Sequence, residues 1–345
     1  MKIRITSIFL ATAILLSTTG CSLKKTTDVN KITNPVTIES TMDSELQSEL
    51  QSRMISFIEK LENSDVDIDL TNFYEKARTL KICTDTSGEK YYNSYYQQDL
   101  NQIVYNIDTP AAFEHELVHV ILNDGKELGN IFLDEGFTEL LASEVCEEKN
   151  SYRFNVGMTK ILSTILGRDK MFKTFKEKDI SVISGSLAEI KPEVKDAEEF
   201  LSYLKYEHKL EQIMHQTFYK DGSLDNFIKT DDYKKLVSVR KDLTNRIKIY
   251  VKNYYMNLVK QNGIDGKQVL TEMLSILDIV NLELFDPAFE GEPVNDFFLK
   301  DEVSYIMNTY KYSSKEYDEC YENSHDRKCL LEDSCADAKA NEMKK

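Results

Sequence analysis

Two histidines four residues apart, His115 and His119, bracket a glutamate, Glu116, in the pentapeptide HELVH. On an α-helix, positions i and i+4 share one face, so both imidazoles can aim at a single metal ion. Glu116 lies about 100° round the helix from His115. Its carboxylate therefore falls beside the metal, where it can take a proton from a metal-activated water. The flanks favour a helix: Thr109 suits the N-cap, Pro110 the first helical position, and residues 111–122 contain no breaker before Asn123, Asp124 and Gly125.

A catalytic zinc takes three protein ligands and keeps one position open. No third histidine is near. The next is His208, and Leu122 and Gly125 stand where the metzincin pattern needs Gly and His. The acidic candidates are Glu127, Glu135, Glu139 and Glu144. Glu135 and Glu139 stand four apart in the segment LDEGFTE, on a second predicted helix over 131–149. One of them can bind the metal while the other braces a ligand.

HELVH followed by LDEGFTE resembles the gluzincin metallopeptidases, which include the thermolysin-like and aminopeptidase N-like enzymes. The likeness covers residues 115–139. It implies one zinc ion held by His115, His119 and Glu135, with Glu116 as general base and with Glu139 and Asp134 supporting the ligands from behind. Fifteen residues separate His119 from Glu135 and nineteen separate it from Glu139. The longer gap is the thermolysin-like count, so Glu139 is the alternative ligand, while the local sequence favours Glu135. The G-A-M-E-N segment that grips a free amino terminus in aminopeptidase N-like enzymes is absent, which points to an endopeptidase. No motif marks the tyrosine or histidine that stabilises the transition state in the family; Tyr203, Tyr206, His208, His215 and Tyr219 are the candidates.

The resemblance thus implies a zinc-dependent hydrolase of peptide or protein substrates. Two other readings use the same residues: a non-catalytic surface protein keeping zinc for structure or binding, and a hydrolase of some other amide. Residues 102–107 (QIVYNI), just before the HELVH helix, read as a strand. In a zincin-like fold that strand could be the sheet edge that pairs with an extended peptide, or an ordinary sheet strand.

The amino terminus bears on where such chemistry occurs. Lys2 and Arg4 precede an apolar run over 5–16 and then Ser-Thr-Thr-Gly-Cys, which reads as a secretory signal over 1–20, too short for a stable membrane span. Gly20-Cys21 resembles a bacterial lipoprotein signal, which implies lipidation of Cys21, with Thr18 standing where Leu is usual. The expected location is the extracytoplasmic side of the cell membrane, or free secretion without the lipid. Residues 21–41 then read as anchor and polar tether. The net charge of −16 disfavours nucleic acid and the anionic bilayer surface as partners, and would steer a cationic peptide inward. Setting Cys21 aside leaves Cys83, Cys146, Cys320, Cys329 and Cys335. Disulfides pinning a charged tail over 313–345 are expected, and Cys320, His325, Cys329 and Cys335 are a second possible metal set.

The elements that must hold this chemistry read as mostly helical, punctuated by only 5 Pro and 12 Gly. Leu46, Leu50, Met54, Phe57, Ile58 and Leu61 form an apolar stripe at helical spacing. Helices are predicted over 152–166, 197–219, 232–260 and 267–282, and short strands over 80–84 and 102–107. The predicted class is α+β and predominantly helical: over 42–312, a zincin-like lobe with a small sheet and the HELVH helix, to about residue 150, then a helical lobe. Tyr91, Tyr92, Tyr95 and Tyr96 are expected to pack on the sheet rather than to line a cleft.

Overall fold

The computed structural model describes residues 37–38, 42–63, 70–84, 94–107, 109–110, 112–122, 126–146, 152–191, 194–221, 223–261, 264–279, 284 and 300–326. The signal and lipidation readings, Tyr91, Tyr92, Cys329 and Cys335 fall outside these residues, as do the side chains of Cys146, Tyr219 and His325.

Helix α1 (Ser44–Glu62) opens on Asp43, whose carboxylate accepts the Glu45 N–H at 2.7 Å. The apolar stripe from Leu50 to Leu61 is buried as its spacing predicts. After α2 (Thr71–Ala77) comes a four-stranded sheet of β1 (Thr37–Ile38), β2 (Lys81–Thr84), β3 (Tyr95–Gln97) and β4 (Gln102–Tyr105), in the order β1-β2-β4-β3. β1 and β4 run parallel to β2, whereas β3 runs antiparallel to β4 with Tyr96 opposite Ile103.

This topology selects one of two alternatives for residues 102–107 and corrects the reading of the segment before residue 42. Residues 102–107 do not form the edge: β4 lies between β2 and β3, and Ile103, Val104 and Tyr105 are all buried, as a strand covered on both faces requires. Among the described strands the edges are β1 and β3. The polar segment before residue 42 is also not all tether, because Thr37 and Ile38 pair with Lys81 and Ile82. Asn101 turns β3 into β4 with φ at +45°, and its side chain accepts from the Tyr96 hydroxyl at 2.9 Å. Tyr96 thus packs on the sheet as expected.

Helix α3 (Ala112–Leu122) carries HELVH, and nearly all of its residues are buried. Thr109 does not cap it. Its hydroxyl is buried without a partner, and the first turn closes through the backbone, Ala112 N–H to the Thr109 carbonyl at 3.1 Å. The helix is instead fastened by Arg53 of α1. That guanidinium donates to Glu114 through Nε at 2.8 Å and through Nη2, donates to the Pro110 carbonyl at 2.6 Å, and lies over the Phe113 ring.

Helix α4 (Ile131–Cys146) packs on α3, and the rest of the chain is helical: α5 (Arg153–Leu166), α6 (Arg168–Glu177), α7 (Ser181–Ile190), α8 (Val194–Asp221), α9 (Asp231–Val259), α10 (Gly266–Ile279), α11 (Lys300–Tyr310) and α12 (Ser314–Asp326). The long α8 and α9 lie along each other, and α4 packs against both α5 and α8. The predominantly helical α+β class is what the structure shows. One contiguous apolar core joins the sheet side to the helices.

Helix α6 carries no glycine stop signal. It ends at Lys178, which takes the left-handed conformation that glycine usually fills. Helix α12 corrects the view of residues 313–326 as part of a tail; residues 327–345 lie outside the described residues. Ser313 and Glu316 form a capping box, the Ser313 N–H donating to the Glu316 carboxylate at 2.7 Å, and Cys320 and Ser324 are buried where α12 meets α10. Cys320 is a free thiol. Packing, and no disulfide of Cys320, holds these residues down. Among the described residues no helix is long and apolar enough to cross a membrane.

Candidate metal centre

The helical period brings His115 and His119 to one face of α3, with their Nε2 atoms 3.1 Å apart. Helix α4, packed across α3, supplies Glu135. One of its oxygens lies 3.1 Å from His115 Nε2 and the other 3.7 Å from His119 Nε2. The donor atoms of His115, His119 and Glu135 all lie within 4.8 Å of one another. Two ligands at about 2.05 Å from a tetrahedral ion stand about 3.3 Å apart, so the histidine pair has the spacing of nitrogens that share one metal. Two imidazoles and a carboxylate are a donor set suited to zinc.

Glu139, one turn beyond Glu135, goes elsewhere. Its carboxylate meets His115 Nδ1 at 2.7 Å, on the opposite edge of the ring from Nε2. Of the two glutamates left open by the sequence, Glu135 faces the histidine nitrogens and Glu139 braces His115. Asp134 does not join them. It pairs with Lys178 at 3.0 Å, an ion pair that ties the start of α4 to the end of α6. Glu127 is exposed.

The field of the site favours positive charge on the histidines. Burial acts to lower the pKa of His115, yet the carboxylates of Glu135, Glu139 and Glu116 outweigh it and hold the imidazole well above its ordinary range. His119 is raised in the same way, against burial, chiefly by Glu135. Burial acts to raise Glu135, but His119 and His115 hold it well below the usual carboxylate range. Glu116 is pushed up to about 7, by burial first, although both histidines and a hydrogen bond from the Tyr96 N–H pull it down. That last contact links the base candidate to the sheet edge.

Across from the triad stands a wall that the sequence only half revealed. His208 of α8 is 3% exposed, neither ring nitrogen has a hydrogen-bond partner, and it lies in the field of Glu135. Burial holds its pKa below the ordinary value. His215, two turns along α8, meets the Tyr152 ring edge to face at 6.5 Å. Tyr203 instead lies under Arg246, and Tyr206 is 42% exposed.

Tyr152 itself carries no signal in the sequence beyond standing at a predicted helix start. Its ring stacks on His115 at 5.6 Å with 29° between the planes. Burial and the nearby carboxylates of Glu135, Glu211, Glu116 and Glu139 hold its phenol well above the ordinary pKa. Behind the wall Arg240 of α9 donates to Glu207 at 2.7 Å and to Glu211 at 2.8 Å, a buried cluster with two carboxylates for one guanidinium.

No protein-family model, no curated protein and no solved structure matches the chain. Fold and site together define a mostly helical α+β protein with a small sheet and a partly buried His-His-Glu cluster of metal-ligand type.

Proposed function

We propose that this protein is an extracytoplasmic zinc-dependent peptidase of gluzincin type, acting as an endopeptidase. The observation that carries the reading is the convergence of His115, His119 and Glu135 on one point with the buried carboxylate of Glu116 alongside. A zinc ion held by those three residues would supply Lewis acidity, making water nucleophilic near neutral pH and polarising a carbonyl.

The chain's own groups supply the rest. Glu116 takes the proton of the attacking water and passes it to the departing amine. The Tyr96 N–H holds its carboxylate in place. An extended peptide would lie alongside β3, the strand that Glu116 reaches through the Tyr96 N–H. His208, uncharged and without a partner for either nitrogen, is the wall residue suited to donate to a substrate oxygen as negative charge develops there.

Cys21 is proposed as the lipid attachment point that holds the domain at the outer face of the cell membrane. The test of the enzyme reading is Glu116→Gln on residues 22–345. The variant should keep one zinc by native mass spectrometry yet fail to cleave a peptide mixture that the wild type cleaves. A wild type that takes up no zinc would sink the reading. One that holds zinc and behaves identically to the variant would leave a metal-binding surface protein in its place.

A further inference from the structure

The ring of His115 is held on three sides. Its Nδ1 edge is fixed by Glu139 at 2.7 Å, its Nε2 edge meets the cluster, and one face lies against Tyr152 at 5.6 Å. The hydrogen bond to Glu139 still allows tilt about the bond to the ring. Blocking that tilt takes a flat partner on the face, and the half-buried Tyr152, stacked on the ring with 29° between the planes, is one.

Tyr152 precedes α5, so its place depends on how closely α5 approaches α4. That approach is set at Gly136, the glycine of the DEGF segment. A Cβ there would stand 2.5 Å from Thr159 Oγ1 and 2.7 Å from the Asn155 carbonyl oxygen, both on α5. The Asn155 side chain also donates to the Phe132 carbonyl at 3.3 Å, drawing the same two helices together. Any side chain at 136 forces α5 outward and carries Tyr152 away from His115.

We propose that Tyr152 is a positioning residue for His115, seated by the close packing of α4 and α5 at Gly136, so that the glycine next to Glu135 serves the metal site through α5. The proposal rests on the zinc reading of the cluster. It assigns the effect to the ring and not to the hydroxyl.

Zinc affinity of the full mature chain, measured by competition with a chromophoric chelator, tests it without reference to activity. Tyr152→Phe should bind zinc within about twofold of wild type, whereas Tyr152→Ala and Gly136→Ala should each weaken binding about tenfold, the lower end of what a lost support to a ligand costs. The cobalt(II) form should show altered visible bands in Tyr152→Ala but not in Tyr152→Phe. Wild-type affinity in Tyr152→Ala would overturn the proposal, and so would a loss in Tyr152→Phe as large as in Tyr152→Ala. Either result leaves the zinc reading standing, because the wild type still binds. A wild type with no affinity for zinc defeats both. Rescue by phenylalanine keeps the test decisive if the alanine variants prove unstable.

Discussion

Glu139 meets the Nδ1 edge of His115 at 2.7 Å, while Glu135, one turn earlier on the same helix, meets the Nε2 edge at 3.1 Å. Two glutamates four residues apart thus straddle one imidazole. Only Glu135 also comes within 4 Å of His119, its oxygen lying 3.7 Å from Nε2. A ligand must reach the point where both Nε2 atoms aim, and an oxygen behind the ring cannot.

The two glutamates should therefore fail differently. Glu135→Ala is expected to remove most zinc affinity, and Glu139→Ala to weaken it about 10- to 100-fold while leaving one site per chain. Isothermal titration with zinc distinguishes them. Equal losses would mean that both carboxylates bind the metal directly.

The buried cluster of Glu207, Glu211 and Arg240 makes stability depend on pH. Burial first, then repulsion by Glu211, pushes Glu207 up to about 8, with Arg240 pulling the other way; Glu211 is raised as well. A carboxyl raised in the folded state contributes most below its ordinary value of 4.5 and loses that contribution as pH climbs through about 8. Urea midpoints should accordingly fall between pH 5 and pH 8 on this account. Glu207→Gln, uncharged throughout, should flatten the slope. An unchanged slope would place the proton elsewhere.

Arg53 should matter to stability and to the site together. Its fork on Glu114 and its bond to the Pro110 carbonyl hold the first turn of α3, directly before His115. Arg53→Ala leaves a buried carboxylate unpaired and should cost about 3 kcal/mol in chemical unfolding. Restoring much of that loss by adding Glu114→Gln would show that the unpaired charge is the cause.

Removing residues 313–345 is expected to lower the melting temperature by several degrees, because Cys320 and Ser324 are buried in the contact with α10. A truly detached tail could be cut without effect.

Part of this was legible in the chain. HELVH marked its helix and its metal face because helical spacing alone decides which side chains share a side. The stripe over α1 and the long helices α8 and α9 followed from the same periodicity. The capping box at Ser313 and Glu316 was equally readable, yet the high charge of 313–345 argued for a tail.

Strand order was not legible. Nothing local distinguishes β4 as central from β3 as edge, since that depends on β2 arriving from earlier in the chain. Asp134 stands beside Glu135 in sequence but points about 100° away on the helix, where Lys178 meets it.

The sequence by itself determined that two imidazoles could meet at one face of one helix with a carboxylate base beside them, because residues four apart on a helix are neighbours, and residues one apart are about 100° round, whatever surrounds them. Only the tertiary structure decided which glutamate of α4 turns to the nitrogens and which to the back of the ring. It alone brought His208 across from α8 and Tyr152 onto His115. Those contacts depend on how closely α4 approaches α5 and α8, which residues distant in sequence, such as Gly136 and Thr159, settle by their size.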